Sequence, residues 1–201
     1  NGVTINACDT AVWVKDSPLN TAGTSFTLTV TGDCNISNSG QTKTGILVSG
    51  ADAHLILDDN LASIHGFAVG VDVVAGTAVV TNNHIYDNGV GVRFNTGGSG
   101  DVNTNDFSGT PNNGIDIQSL ASAGAVGATP DNIFAGLTFG VDNQSATNID
   151  ASNAYWSSVD GPGGAGLGSG ANITANVTYC PYYSTKPVVF GGSGTIGASQ
   201  R

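Results

Sequence analysis

Apolar and polar positions alternate along this chain in a short unit that recurs at nearly constant spacing. The unit is a glycine, an apolar residue, a variable residue and, in all but the last copy, a second apolar residue. It begins at Gly45, Gly70, Gly91, Gly114 and Gly140, so successive copies are 25, 21, 23 and 26 residues apart. Similarity at a spacing of this size predicts a solenoid, in which each repeat is one turn that buries its apolar face against its neighbours.

The residue types within the repeats favour strands. Val71 and Val73, like Ile115 and Ile117, alternate with polar residues at period two, which is the pattern of a strand with one buried face. Asparagine, aspartate and glycine separate the strands and tolerate the left-handed backbone of sharp corners. The leucine ladder of a horseshoe-shaped solenoid is missing from the sequence. The pattern therefore predicts an all-β fold of the parallel β-helix type.

Polar residues recur at one expected corner of the coil. Asn83, Asn105 and Asp131 lie two residues before Ile85, Phe107 and Ile133, respectively. Side chains stacked at such a corner can satisfy the backbone groups of the turn and one another. We therefore expect these three polar residues to form a ladder.

We predict one domain over residues 1–201. Residues 1–24 are expected to form an irregular first coil or cap, residues 25–147 the regular coils, and residues 148–201 an aromatic C-terminal cap and tail. No run of 18 apolar residues occurs in the sequence, so no membrane span is predicted.

The charge of the chain restricts its partners. Five Lys and Arg residues stand against 15 acidic residues, all of them Asp, and give a net charge of -10. Binding to nucleic acid relies on Lys and Arg that neutralise phosphates, so nucleic acid and anionic membranes are not expected as partners. An acidic surface rich in Asn, Thr and Gly is common in secreted proteins, and we expect an extracellular or cell-surface location.

Three cysteines leave one without an assigned partner. Cys8 and Cys34 are 26 residues apart, about one coil, which could place them on adjacent turns. We predict a disulfide between them, with two small buried thiols as the alternative. The pairing of Cys180 is left open.

One outward-facing row of the coils carries most of the charge. Alignment of the repeats places Leu47, Asp72, Arg93, Asp116 and Asp142 at one position, beside apolar neighbours that point inward. Two carboxylates at strand spacing suit a retaining glycosidase, and an arginine beside acids suits a polysaccharide lyase. A structural charge ladder is the favoured interpretation, and as an exposed ion pair Arg93 would contribute about 0.2 to 1 kcal/mol.

No metal or other cofactor is predicted. His65 and His84 lie on neighbouring coils without a third ligand that the pattern forces nearby, so a zinc site is not expected. Calcium is the alternative, through oxygen ligands at residues 58–60 (Asp-Asp-Asn) or at Asp106 with Asp131.

The end of the chain carries a specific resemblance. Residues 148–163 (NIDASNAYWSSVDGPG) resemble a "DAsNNWWGsxdGP" ending, and residues 176–182 (NVTYCPY) resemble the "V-x-Y-x-P-W/Y" element that follows it. The coils between Ala78 and Ile117 resemble "NxIxxNxxGIxf" repeats. These are features of bacterial secreted right-handed parallel β-helix repeat proteins of the pectate-lyase-like superfamily.

The resemblance covers about residues 25–185 and departs from the family at Tyr155 and Ser157, where the family has Trp and Gly. It implies a right-handed parallel β-helix (β-solenoid), here of about six or seven coils. It implies no single function, because lyases, hydrolases, adhesins and surface filaments share this fold. Only Arg93 among the Lys and Arg residues lies in the repeats, which falls short of a lyase site.

Two aromatic residues interrupt the repeats. Tyr155 and Trp156 are interpreted as a plug for the end of the apolar column, with carbohydrate stacking as the alternative.

The favoured function is that of a non-enzymatic structural module of a cell-surface, adhesive or filament-forming protein. Its expected partners are copies of itself or neighbouring domains of the same polypeptide, and the ends of the solenoid or a tail strand at Val188, Val189 and Phe190 would make the contact. The alternative is a carbohydrate-active enzyme or carbohydrate-binding β-helix, with cell-surface carbohydrate as its partner and the outer row as its site.

Overall fold

A computed structural model describes residues 4–6, 10–16, 26–32, 34–58, 63–108, 113–117 and 131–187. Within them the chain is all-β, and its strands pair in parallel to form a β-solenoid of about 5 turns. The predicted fold class is confirmed. The predicted six or seven coils are slightly too many.

The strands are Thr4–Asn6 (β1), Thr10–Val14 (β2), Phe26–Thr31 (β3), Asn35–Ser37 (β4), Thr44–Asp58 (β5), Ser63–His65 (β6), Val69–Thr81 (β7), Ile85–Tyr86 (β8), Val90–Asn103 (β9), Asn113–Ile117 (β10), Phe139–Asn143 (β11), Ile149–Asp150 (β12), Pro162–Gly164 (β13), Gly170–Ile173 (β14) and Val177–Thr178 (β15). No helix in the described part of the chain is long and apolar enough to cross a membrane.

Three faces make up each turn of the coil. The long strands β5, β7 and β9 run through the first two faces, and the register between them shifts where one face ends and the next begins. The third face consists of β1, β4, β6 and β8 and continues as single bridges that link residues 84, 106, 133, 155 and 183. Stacking of successive turns on all three faces leaves a narrow column in the middle for apolar side chains.

Equivalent residues of successive coils fill that column. The inward row of the first face contains Ile46, Val71, Val92, Ile115 and Val141, all fully buried and paired in register. Val73 and Phe94 are fully buried in the neighbouring row. The predicted inward register is confirmed at these positions; the side chain of Ile117 lies outside the described residues.

An aromatic stack fills the C-terminal half of the column. Phe107 and Phe134 have ring centroids 5.6 Å apart, and Phe134 lies 4.8 Å from Trp156. The recurring glycines give these rings their space. A Cβ on Gly91 would lie 2.6 Å from the Gly114 carbonyl oxygen and 2.6 Å from the Phe107 ring. Glycine is therefore required in this row because the neighbouring coil and the aromatic rings occupy the position of a side chain.

Buried asparagines build the ladder at one corner. The backbone N–H of Asn83 donates to Asn105 Oδ1 at 3.0 Å, and that of Asn105 donates to Asn132 Oδ1 at 2.9 Å. The predicted ladder is confirmed at its first two members and corrected at the third, which is Asn132 rather than Asp131. Phe134, not Ile133, is the apolar residue of that coil that points into the column. The buried amide two residues before it is therefore Asn132.

The residue before each buried asparagine turns the corner. Asn82, Thr104 and Asp131 have φ values of 56°, 57° and 59°, in the left-handed region. Short polar side chains tolerate that region better than large or branched ones, although Thr104 is itself branched. Asp131 therefore forms the turn, and Asn132 forms the ladder.

The C-terminal segment 181–187, here called the strap, runs back along the third face. Its Tyr183 backbone N–H donates to the Ala154 carbonyl, its Tyr183 hydroxyl donates to Asp131 at 3.3 Å, and Lys186 reaches Asp106 at 3.0 Å. The last two contacts span 52 and 80 residues of sequence. The strap thus ties together three successive coils.

Candidate functional site

The outer row of the first face has the register that the repeats predict. Asp72 pairs with Leu47 and Arg93 on its two sides, and Asp116 pairs with Arg93 and Asp142. Charged residues therefore lie next to one another on neighbouring strands of one sheet.

Asp72 and Arg93 form a two-pronged ion pair within this row. Arg93 Nε donates to Asp72 Oδ1 at 3.1 Å, and Arg93 Nη2 donates to Asp72 Oδ2 at 2.6 Å. The Asn95 amide donates to Asp72 Oδ1 at 2.7 Å. Asn95 was not predicted as part of this row, although its position two residues after Arg93 places it on the same face of the strand.

The expectation that Asp72 is solvent-exposed is wrong. Asp72 is only 5% exposed even though Val71 and Val73 on either side of it point into the core. The strand register is therefore as predicted, and the guanidinium of Arg93 and the amide of Asn95 lie against the carboxylate and account for its burial. A buried carboxylate that keeps its charge needs such partners.

We expect Arg93→Ala to lower the free energy of unfolding by about 2 kcal/mol, more than an exposed ion pair would contribute, because the change removes two charge-assisted hydrogen bonds to the partly desolvated Asp72 carboxylate. Urea denaturation followed by circular dichroism measures this loss. As a control, the same change in an Asp72→Asn background should cost less, since Arg93 then has no carboxylate to pair with. An equal cost in both backgrounds would contradict the explanation.

The other acids of the row have different surroundings. Asp142 Oδ2 accepts hydrogen bonds from the Asn113 and Gln144 amides, each at 3.2 Å. The side chain of Asp116 lies outside the described residues. Both oxygens of Asp72 accept hydrogen bonds from Arg93 or Asn95, so Asp72 would have to give up such a bond to act as a nucleophile or base.

A second cluster of polar side chains lies on the third face, beside the strap. The ring of Tyr86 stacks on His65 with centroids 4.7 Å apart and on His84 with centroids 4.3 Å apart. His84 Nε2 lies 3.5 Å from the Ser108 hydroxyl. Asp106 is buried, receives the Lys186 ammonium and accepts a hydrogen bond from the Ser108 backbone N–H at 2.9 Å.

Burial shifts the pKa of His84 in this cluster and that of Asp131, which contacts the strap. Burial lowers the pKa of His84 from its usual 6.5; Lys186 and His65 lower it further, while Asp106 and Asp87 act in the opposite direction. Burial raises the pKa of Asp131 above 3.8, against the opposing effect of the Tyr183 hydrogen bond. Serine, histidine and aspartate meet here, and the Asp106 carboxylate binds the Ser108 backbone N–H and the Lys186 ammonium, whereas the aspartate of a hydrolase triad is dedicated to the histidine.

The lowered pKa of His84 predicts an acid-sensitive stability. At pH values just below 6.5 the unfolded chain binds a proton at this residue more readily than the folded chain does, so the free energy of unfolding should fall as the pH falls through that range. Denaturant titrations at a series of pH values measure the slope. His84→Gln should flatten it, and His65→Gln should reduce it only slightly, because His65 makes the smallest of the contributions to the pKa of His84; an unchanged slope in His84→Gln would exclude His84 as the cause.

A shallow recess of about 370 Å³ opens on the second face. It is lined by Thr27, Ala51, Asp52, Ala53, His54 and Thr77. His54 Nδ1 is in hydrogen-bond contact with the Thr77 hydroxyl across neighbouring coils. One titratable pair, His54 with Asp52, in an open recess does not form a catalytic constellation.

Metal ligands do not gather in the described part of the chain, where no group of three His, Cys or Asp side chains has suitable geometry. Asp58 Oδ1 accepts hydrogen bonds from Thr81 and Asn82. The Asp106 carboxylate forms an ion pair with the Lys186 ammonium. Asp59 and Asn60 lie outside the described residues, so calcium at residues 58–60 stays a prediction.

The two aromatic residues of the C-terminal segment have separate positions. Trp156 is fully buried beneath the last coils and stacks on Phe134, as expected of a plug. Its indole has no exposed surface on which a sugar could stack, which corrects the carbohydrate alternative at this residue. Tyr155 is half-buried on the outer side of the third face, and carbohydrate binding there stays a prediction.

The N-terminal end of the solenoid is open over the described residues. There β2 and β3 each pair with β5 alone. Phe26 is 49% exposed, and Leu28 and Val30 are half-buried, although all three are in register with fully buried residues of β5. Trp13 is 58% exposed, and the Lys15 ammonium lies 4.7 Å from the centre of its ring.

The C-terminal end is covered more completely. Its last strand on the first face, β13, has three residues and contains Pro162. Ala171 and Ile173 of the adjoining β14 are buried. Val159 and Leu167 are exposed, but they lie on the loops that flank β13 rather than on a strand.

The predicted disulfide and tail contacts involve residues beyond those described. Cys8 lies outside them, and Cys34 is half-buried with its Sγ 3.8 Å from the Thr31 carbonyl, so their pairing stays a prediction. Cys180 is exposed. The predicted assembly residues Val188, Val189 and Phe190 also lie outside the described part.

Comparison of this chain with protein-family models, with curated proteins and with solved structures gave no match. The fold assignment therefore rests on the parallel register of the coils, and the functional argument rests on the surfaces described above.

Proposed function

We propose that this chain is a non-enzymatic, extracellular structural module of a cell-surface, adhesive or filament-forming protein, and that it associates with copies of itself through the end of its solenoid. The observation that carries the proposal is the open N-terminal end, where the core-facing side chains of β3 remain partly exposed and its outer edge has no strand partner among the described residues. Natural proteins cap such an edge or use it for pairing.

The charged row on the first face supports a structural rather than a catalytic role. Asp72 is held by Arg93 and Asn95, and Asp106 on the third face is held by Lys186. Catalytic carboxylates need an oxygen available to the substrate. A carbohydrate-active enzyme is therefore the less supported alternative, and an extracellular setting is proposed on the acidic, Asn- and Gly-rich composition.

Sedimentation velocity of the full chain, from micromolar to near-millimolar concentration, tests the proposal. We expect concentration-dependent association that Phe26→Ser weakens. The matched control is Val74→Ser, because Val74 is an exposed apolar residue away from both ends. A monomer at every concentration would contradict self-association. Hydrolysis or β-elimination on a polysaccharide panel, lost in Arg93→Ala, would contradict the non-enzymatic role.

Truncation after Pro187 tests the tail contribution separately. If Val188, Val189 and Phe190 add a strand to a neighbouring copy, the truncated chain should associate less tightly than the full chain. Equal association of both chains would assign the contact to the solenoid end alone.

A further inference from the structure

The two ends of the solenoid differ in their ability to pair with another strand. The free edge of the C-terminal end is β13, which has three residues, one of them Pro162, and proline has no backbone N–H to donate. The N-terminal end offers β3, a six-residue strand that contains neither proline nor glycine. Long, regular edges of this kind pair readily, whereas short edges with proline do not.

Among the described residues, the open end also lacks apolar cover. Phe26, Leu28 and Val30 continue the rows of Ala53, Leu55 and Leu57, which are buried because β3 lies over them. Nothing in the described part of the chain covers β3 in the same way. The missing cover is therefore one more layer of strand with apolar residues on the same face.

The lack of charge at this end favours the same end of a second copy as the layer that covers β3. Neither β2 nor β3 contains a charged residue, although the chain carries 15 Asp residues and a net charge of -10. In a contact with two-fold symmetry, residues near the axis meet their own copies, so any charge there would face its like. An uncharged edge on an acidic protein is what such a contact requires.

We infer that the N-terminal edge pairs with the same edge of a second copy about a two-fold axis, with the two β3 strands antiparallel. The inference rests on the proposed self-association and specifies its geometry. Apolar residues and threonines alternate along β3 in either direction. In the antiparallel pair, Leu28 of one copy therefore lies opposite an apolar residue of the other on the core side, and Thr27 and Thr29 lie opposite threonines on the outer side. Association then ends at a dimer, because the remaining ends carry the short β13 edges.

The test is a charge introduced beside the axis. Thr29 is exposed and points outward, so Thr29→Lys should leave the fold intact and bring two like charges within cross-strand reach. We expect the dissociation constant of the dimer in sedimentation experiments to rise about tenfold. Thr178→Lys is the matched control, since Thr178 is exposed on β15 at the other end, and it should leave the dimer unchanged.

A mixing experiment identifies the symmetry. Thr29→Lys and Thr29→Glu chains should each associate weakly alone and form a heterodimer when mixed, because position 29 of one copy lies near position 29 of the other only in a two-fold contact. Circular dichroism verifies folding, and Thr27→Lys with Thr27→Glu provides a second pair if the first does not fold.

The outcomes separate this inference from the proposed function. If the wild-type chain dimerises, a charge at position 29 weakens the dimer, and mixing the oppositely charged variants restores it, the two-fold contact and the proposed self-association are both supported. Polymers larger than dimers, or dimers indifferent to the charge, would overturn the two-fold contact and leave self-association in place. A wild-type monomer throughout would overturn both.

Discussion

Replacing Asn105 with alanine is expected to lower the free energy of unfolding by about 3 kcal/mol. Its Oδ1 accepts hydrogen bonds from the backbone N–H and the side-chain amide of Asn83, both at 3.0 Å, and its Nδ2 donates to the Val80 and Asn103 carbonyls at 2.9 Å. Alanine would leave these groups buried without this partner, in a corner that water does not reach.

Equilibrium denaturation in urea measures this loss. Asn103→Ala is the matched control, because Asn103 lies two residues earlier, at the end of β9, with its side chain only partly buried, and it should change stability by less than about 0.5 kcal/mol. Equal effects of the two substitutions would show that the ladder contributes nothing beyond the loss of an asparagine.

Gly91→Ala is expected to destabilise the fold by about 3 kcal/mol, the upper part of the range for overpacked cores. The new methyl group would lie 2.6 Å from the Gly114 carbonyl oxygen and 2.6 Å from the Phe107 ring. Backbone and aromatic ring belong to neighbouring parts of a tightly stacked coil, so neither can move without separating strands.

Gly97→Ala is the control for this change. Gly97 lies on the same strand, and its nearest neighbour would be the Val74 carbonyl oxygen at 3.2 Å, so we expect a much smaller loss. A double-mutant cycle with Phe107→Leu divides the Gly91→Ala cost between ring and backbone. Similar stabilities of Gly91→Ala and Gly97→Ala would contradict the requirement for glycine in this row.

The core and its register could be predicted because each rests on local information. The glycine unit marks equivalent positions of successive coils, and period-two alternation around it assigns Val71, Val73 and Val92 to the inside. The pattern also aligned Asp72, Arg93 and Asp142 on one outer row.

The errors arose where local information was ambiguous or missing. Ile133 and Phe134 are adjacent and both apolar, so the sequence did not decide which enters the column, and the ladder was placed one residue early at Asp131. Burial of Asp72 depends on Arg93 and Asn95 from the next coil rather than on its own strand. The contact of Lys186 with Asp106 spans 80 residues and has no repeating signal.

The strap makes the solenoid mechanically unequal at its two ends. A stack of coils that touch only their neighbours can unravel one coil at a time from either end. Tyr183 and Lys186 bind the coils that contain Asp131 and Asp106, so peeling from the C-terminus has to break contacts to several coils together before any one is released. The first coil has no such contact to more than one coil among the described residues. Under a pulling force, β2 and β3 would therefore separate from the solenoid first.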